Sequence, residues 1–126
     1  MSNAKFYICR HCGNLIGMIH DAGVPMMCCG EKMEALAANT VEASGEKHIP
    51  VAVVEGDAVT VSVGSVHHPM IPEHYIEWVY VQTEKGGLRK ALNPGDAPNV
   101  TFCLGDDKAI AVYAYCNLHG LWMVEL

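Results

Sequence analysis

The sequence predicts an all-β chain in which a small metal-stapled N-terminal domain precedes a seven-stranded antiparallel β-sandwich. Three observations predict it. Four of the six cysteines, Cys9, Cys12, Cys28 and Cys29, crowd into the first 29 residues. Seven short runs of β-forming residues follow, each bounded by turn residues. No segment sustains the apolar period of a helix.

The N-terminal domain, residues 1–36, holds two short apolar runs, Phe6-Tyr7-Ile8 and Leu15 to Ile19. So short a piece buries too little to offset its conformational entropy, and a structural metal is the usual remedy. Two cysteines two residues apart lie on one tight turn and reach a single ion, and a second pair sixteen residues on completes a tetrahedral thiolate cage. Four sulfurs suit zinc or iron, and spacing does not choose between them. The second pair, Cys28-Cys29, is directly adjacent, whereas zinc ribbons separate both pairs. His11 and His20 lie nearby, but a cage of four thiolates has no use for them, so both are expected in solvent.

The second domain, residues 37–126, carries strands expected at 49–55, 58–63, 75–83, 88–92, 100–104, 109–115 and 121–126. Gly56-Asp57, Gly86-Gly87, Pro94-Gly95 and Gly105-Asp106 stand where hairpins or sheet crossings need turns. Val59-Thr60-Val61-Ser62-Val63 alternates, which puts three valines on one face. Seven strands in so short a span suggest a sandwich. Cys103 reads as a buried thiol packed as a small hydrophobe, and Trp78 and Trp122 as core.

Composition excludes other classes. A net charge of −6 offers no basic stripe for nucleic acid. No apolar run approaches a membrane span, and Met1 to Lys5 leads into the first cysteine pair with no apolar signal segment. A soluble, cytoplasmic protein is expected, and in that reducing compartment the cysteines are metal ligands or redox groups, not disulfides.

The remaining histidines, His48, His67, His68, His74 and His119, fall at strand ends or loops, His119 three residues after Cys116. One such histidine is usually a surface residue; several converging on the ends of a sandwich are better read as ligands. His67 and His68 point in opposite directions in extended chain, so one is spare. His68 is the ligand of choice, because Pro69 holds it extended. Imidazoles from His48, His68, His74 and His119 with the Cys116 thiolate make five donors. That is too many for catalytic zinc and suits a redox iron with one position open.

At these residues the chain resembles the desulfoferrodoxin, or two-iron superoxide reductase, family. The resemblance covers nearly the whole sequence and is carried by Cys9-Arg10-His11-Cys12-Gly13-Asn14, Cys28-Cys29-Gly30, Glu46-Lys47-His48-Ile49-Pro50, Val63-Gly64-Ser65, His68-Pro69-Met70, His74-Tyr75-Ile76-Glu77-Trp78 and Cys116-Asn117-Leu118-His119-Gly120-Leu121-Trp122. It implies a desulforedoxin-like first domain whose four cysteines hold iron, then an immunoglobulin-like sandwich with the reactive iron, in a homodimer. It also implies that His48, His68, His74 and His119 surround that second iron with Cys116 axial, and that superoxide is reduced to hydrogen peroxide there, with rubredoxin as electron donor. Glu46 resembles the carboxylate that closes onto the oxidised iron, and Lys47 the cation that draws superoxide in. Without His48 beside it, Lys47 would be an ordinary solvated lysine.

Two rivals belong to other classes. Cys116-x-x-His119-x-x-x-Met123 has the loop spacing of a blue-copper electron-transfer site. That rival leaves His48, His68 and His74 over-supplied and the N-terminal cage unexplained. In the other, neither site turns over, and the protein is a rubredoxin-like electron carrier or a zinc-filled binding module; metal content separates the three.

Overall fold

The computed structural model describes residues 3–40 and 48–126. They are all strand, turn and loop, so among them no helix is long and apolar enough to cross a membrane. The chain divides into two compact units, Met1–Ala37 and Ala38–Leu126.

The first unit has five short strands, β1 (Phe6–Ile8), β2 (Leu15–Gly17), β3 (Met27–Cys28), β4 (Glu31–Lys32) and β5 (Glu34–Ala35). They form a sheet of order β2-β1-β5 and a separate β3-β4 hairpin. Its buried apolar residues are Phe6, Ile8, Cys9 and Met33, far short of a self-sufficient core. Both cysteine pairs sit on turns. Gly13 N–H closes back on Cys9 O at 2.8 Å, with Gly13 at φ +84°. At the other pair Cys29 itself takes φ +51°, the left-handed region that side chains avoid. In extended chain two adjacent side chains diverge; the left-handed turn at Cys29 brings its sulfur to 4.0 Å from that of Cys28. The direct Cys-Cys adjacency therefore works through a strained residue.

The second unit is the seven-stranded antiparallel sandwich, built from β6 (Pro50–Glu55), β7 (Ala58–Val63), β8 (Ile76–Thr83), β9 (Gly86–Ala91), β10 (Asn99–Cys103), β11 (Ala109–Cys116) and β12 (Gly120–Glu125). One sheet has the order β10-β7-β6 and the other β12-β11-β8-β9. Alternation fills the space between them: Val59, Val61 and Val63 from β7, Val79 and Val81 from β8, Phe102 from β10, and Val112, Ala114 and Cys116 from β11. The Cys116 sulfur thus rises from the floor of the core.

Two expectations fail for reasons of register. Phe102 points inward, so its neighbour Cys103 points out and is exposed, not buried. The β8–β9 turn falls on Glu84-Lys85, since Thr83 pairs with Gly86, and Gly87 lies within β9. Gly87 answers a different need: a Cβ there would stand 2.0 Å from the Tyr80 hydroxyl oxygen, because the Tyr80 ring lies across it. At the free edge of β12, Asn39 donates its N–H to Leu121 O at 2.9 Å and accepts from Met123 N–H at 3.0 Å.

Candidate metal centres

In the first unit the sulfurs of Cys9, Cys12, Cys28 and Cys29 all lie within 4.8 Å of one another. Cys12 and Cys28 are 3.6 Å apart. Thiolates about 2.3 Å from one tetrahedral ion are about 3.8 Å apart, so the four fit one metal. Asn14 serves the cage twice, its N–H directed at Cys12 Sγ at 3.5 Å and its Nδ2 at Cys28 Sγ at 3.9 Å. The sulfurs polarise one another. The Cys12 N–H, opposed by burial and helped by the His11 N–H, draws the Cys9 thiol down to about 6. Bonding from Cys12, Cys9 and Cys28 pushes Cys29 up to about 12, and Cys12 and Cys9 raise Cys28. Charge placed on one sulfur disfavours charge at its neighbours, and a cation among them relieves this. His11 and His20 are exposed, and His11 pairs with Glu31 at 3.0 Å.

The second centre is a consequence of antiparallel topology. His48 precedes β6, His68 follows β7, His74 precedes β8, Cys116 ends β11 and His119 precedes β12. In antiparallel neighbours the start of one strand adjoins the end of the next, so all five fall at one end of the sandwich. Ligand atoms of His48, His68, His74 and Cys116 lie within 4.8 Å of one another. His119 joins them, its Nδ1 3.1 Å from His48 Nε2 and 3.9 Å from Cys116 Sγ. Two nitrogens about 2.1 Å from one ion and at right angles to it are about 3.0 Å apart, the observed His48–His119 spacing. His48, His68 and Cys116 are buried, His74 half-buried and His119 exposed, so the centre runs from a buried sulfur to an exposed imidazole. His67 is exposed and stands apart from the group, and His68 is the inward member of the pair.

Neighbouring groups orient the rings. His68 Nδ1 lies 2.8 Å from Pro69 O; a carbonyl only accepts, so Nδ1 carries the proton and Nε2 is left with its lone pair. Trp122 stacks on His48 with centroids 4.6 Å apart and planes 14° apart, and its Nε1–H donates to His119 O at 3.1 Å. Sequence reasoning placed Trp122 in the core; it is buried, and it also holds two of the five groups. Its position three residues after His119 in the β11–β12 hairpin is the signal that was open to reading. Glu46 and Lys47 lie outside the described residues. Met123 pairs with Tyr113, one residue out of phase with Ala114 and Cys116, so it lies on the opposite face of the sheet from the thiolate and the blue-copper arrangement is excluded.

The donor chemistry of both clusters fits a resident transition metal, four thiolates in one and imidazoles with one thiolate in the other. The chain is thus defined as a β-sandwich metalloprotein with a cysteine-cage unit ahead of the sandwich. The desulfoferrodoxin profile matches residues 40–125, and the chain belongs to the desulfoferrodoxin family. It is 42% identical over 121 residues to the desulfoferrodoxin of Nitratidesulfovibrio vulgaris, covering 96% of this chain and 95% of that one. It is 43% identical over 118 residues to a desulfoferrodoxin homolog of Archaeoglobus fulgidus, covering 94% of each. The crystal structure of the superoxide reductase from Treponema pallidum superposes with a TM-score of 0.85 at 42% identity, covering 98% of each chain.

Proposed function

We propose that this protein is a superoxide reductase, adding one electron and two protons to superoxide to give hydrogen peroxide. The carrying observation is the convergence of His48, His68, His74 and Cys116, with His119 at the rim, in a chain that superposes end to end on the Treponema pallidum enzyme. His48, His68, His74, His119 and Cys116 would hold a ferrous ion, which when bound would supply the single electron.

The chain's own residues do the rest. The imidazoles are neutral donors whose direction is set beforehand by Pro69 O, Trp122 and the hairpin. The buried Cys116 sulfur is the one anionic donor and favours the oxidised state of what it binds. Lys47, adjoining His48 in the chain, supplies positive charge to an anionic substrate approaching a protein of net charge −6. Glu46, the residue before it in the chain, resembles the family's carboxylate and would be the group to close onto the oxidised iron. The thiolate cage, which offers substrate no entry, relays electrons or scaffolds its unit. Iron in both centres, with zinc as the other metal the cage accommodates, a rubredoxin-like donor, a cytoplasmic location and a homodimer belong to the same proposal. They rest on kinship and on the chemistry of the donor sets.

Peroxide stoichiometry tests the reaction. With an excess of a one-electron reductant, the protein is expected to release one hydrogen peroxide per superoxide consumed. A yield of one per two superoxides would mean dismutation and refute the reductase.

A further inference from the structure

Asn117 belongs to neither ligand set, yet its side chain grips the backbone of His74. Its Oδ1 accepts the Tyr75 N–H at 3.0 Å, and its Nδ2 donates to Glu73 O at 3.0 Å. Its own N–H donates to Tyr75 O at 3.2 Å. One amide therefore holds the peptide groups on both sides of His74. The other two groups at that position are taken by Ile71: His74 N–H donates to Ile71 O at 3.0 Å, and Ile71 N–H to His74 O at 3.1 Å. All four polar groups of the two peptides flanking the His74 Cα are hydrogen-bonded, two of them by a residue of another loop.

That loop carries the other ligands. Asn117 follows Cys116 directly and opens the three-residue turn that ends at His119, closed by the Cys116–Gly120 pair with Gly120 at φ +83°. The ladder between β11 and β8 breaks register between Tyr115 and Cys116, at the point where the two ligand-bearing loops part. Asn117 carries the connection past the end of the ladder. The task needs a donor and an acceptor on one short planar group: aspartate lacks the donor and would face Glu73 O with a like charge, and an aliphatic residue lacks both.

We infer that Asn117 is a positioning residue, a clasp that sets the His74 imidazole against the Cys116 thiolate and His119. The inference rests on the second cluster being the metal centre proposed above. A loop asparagine that served folding alone would lower the melting temperature and leave the properties of the centre untouched.

The test uses full-length protein purified anaerobically with its iron, comparing Asn117→Ala and Asn117→Asp with wild type. The readouts are the thiolate-to-iron absorption band of the second centre, its midpoint potential, and the rate at which it loses iron to a chelator. Absorption of the cysteine cage in the same molecule is the internal reference. Asn117→Ala is expected to release iron from the second centre about 10–100-fold faster and to shift its band and potential, with the cage unaltered. Asn117→Asp, which keeps the acceptor, is expected to fall between. Wild-type release, band and potential in Asn117→Ala would overturn the clasp; so would loss of both centres together in both variants, which would mark a general folding role. Should wild-type protein hold iron at this centre without reducing superoxide, the functional proposal falls while the release rates still decide the clasp.

Discussion

Single side chains divide between those that bind and those that aim. His48, His68, His74 and His119 differ less in chemistry than in what fixes them: a tryptophan face, a proline carbonyl, a clasped backbone and a hairpin turn. His67 shows how little separates ligand from bystander. It is chemically identical to His68 and one residue away, but it ends the turn that follows β7 and is exposed, while His68 just after it is buried, its N–H returning to Val63 O at 3.3 Å. The role proposed for Lys47 is longer in range, since the charge of a lysine changes encounter frequency and not the bonds at the centre. Lys47→Ala is expected to slow the second-order reaction with superoxide by about tenfold at low ionic strength and to flatten its salt dependence, with iron content unchanged. Pulse-radiolysis rates across a salt series check it, and an unaltered slope would return Lys47 to the solvated surface.

At the scale of strands and turns, the period of two was legible in the sequence, and the seven sandwich strands fall within a residue or two of where it puts them. Glycine was harder to read, because one residue type serves turns and close approaches alike. Gly86-Gly87 reads as a turn, yet Gly87 lies under the Tyr80 ring, which also meets Tyr113 edge-on with centroids 6.1 Å apart. Gly87→Ala is expected to displace that ring and destabilise the sandwich by about 1–3 kcal/mol, lowering the melting temperature by about 4–8 °C per kcal/mol. In a Tyr80→Ala background, Gly87→Ala should be nearly costless, a coupling that a double-mutant cycle measures. Cys103 was misread for want of phase: a five-residue strand reveals which face is buried only once one inward residue, here Phe102, is known.

The whole molecule joins two solutions to the problem of small size. The sandwich has a core between two sheets, while the first unit has little beyond its cage and a residue strained into the left-handed region. Removing the cage metal, or replacing Cys28 by Ser, is expected to open residues 3–37 to rapid hydrogen exchange while β6 to β12 keep their protection. Equal loss of protection in both units would contradict it. Both ligand sets were legible in the sequence because cysteine and histidine have few other reasons to gather at turns. The orienting groups are harder to read: Trp122 is marked only by its place three residues after His119, and the clasping amide of Asn117 looks like that of any loop asparagine until the loops meet. The most direct test of the second centre exposes anaerobic ferrous protein, wild type and Cys116→Ser with iron bound, to a pulse of superoxide and follows oxidation of that centre. Wild type is expected to be oxidised in one bimolecular step and the serine variant to lose superoxide reduction; reduction by Cys116→Ser at the wild-type rate would contradict the thiolate's role at the heart of the site.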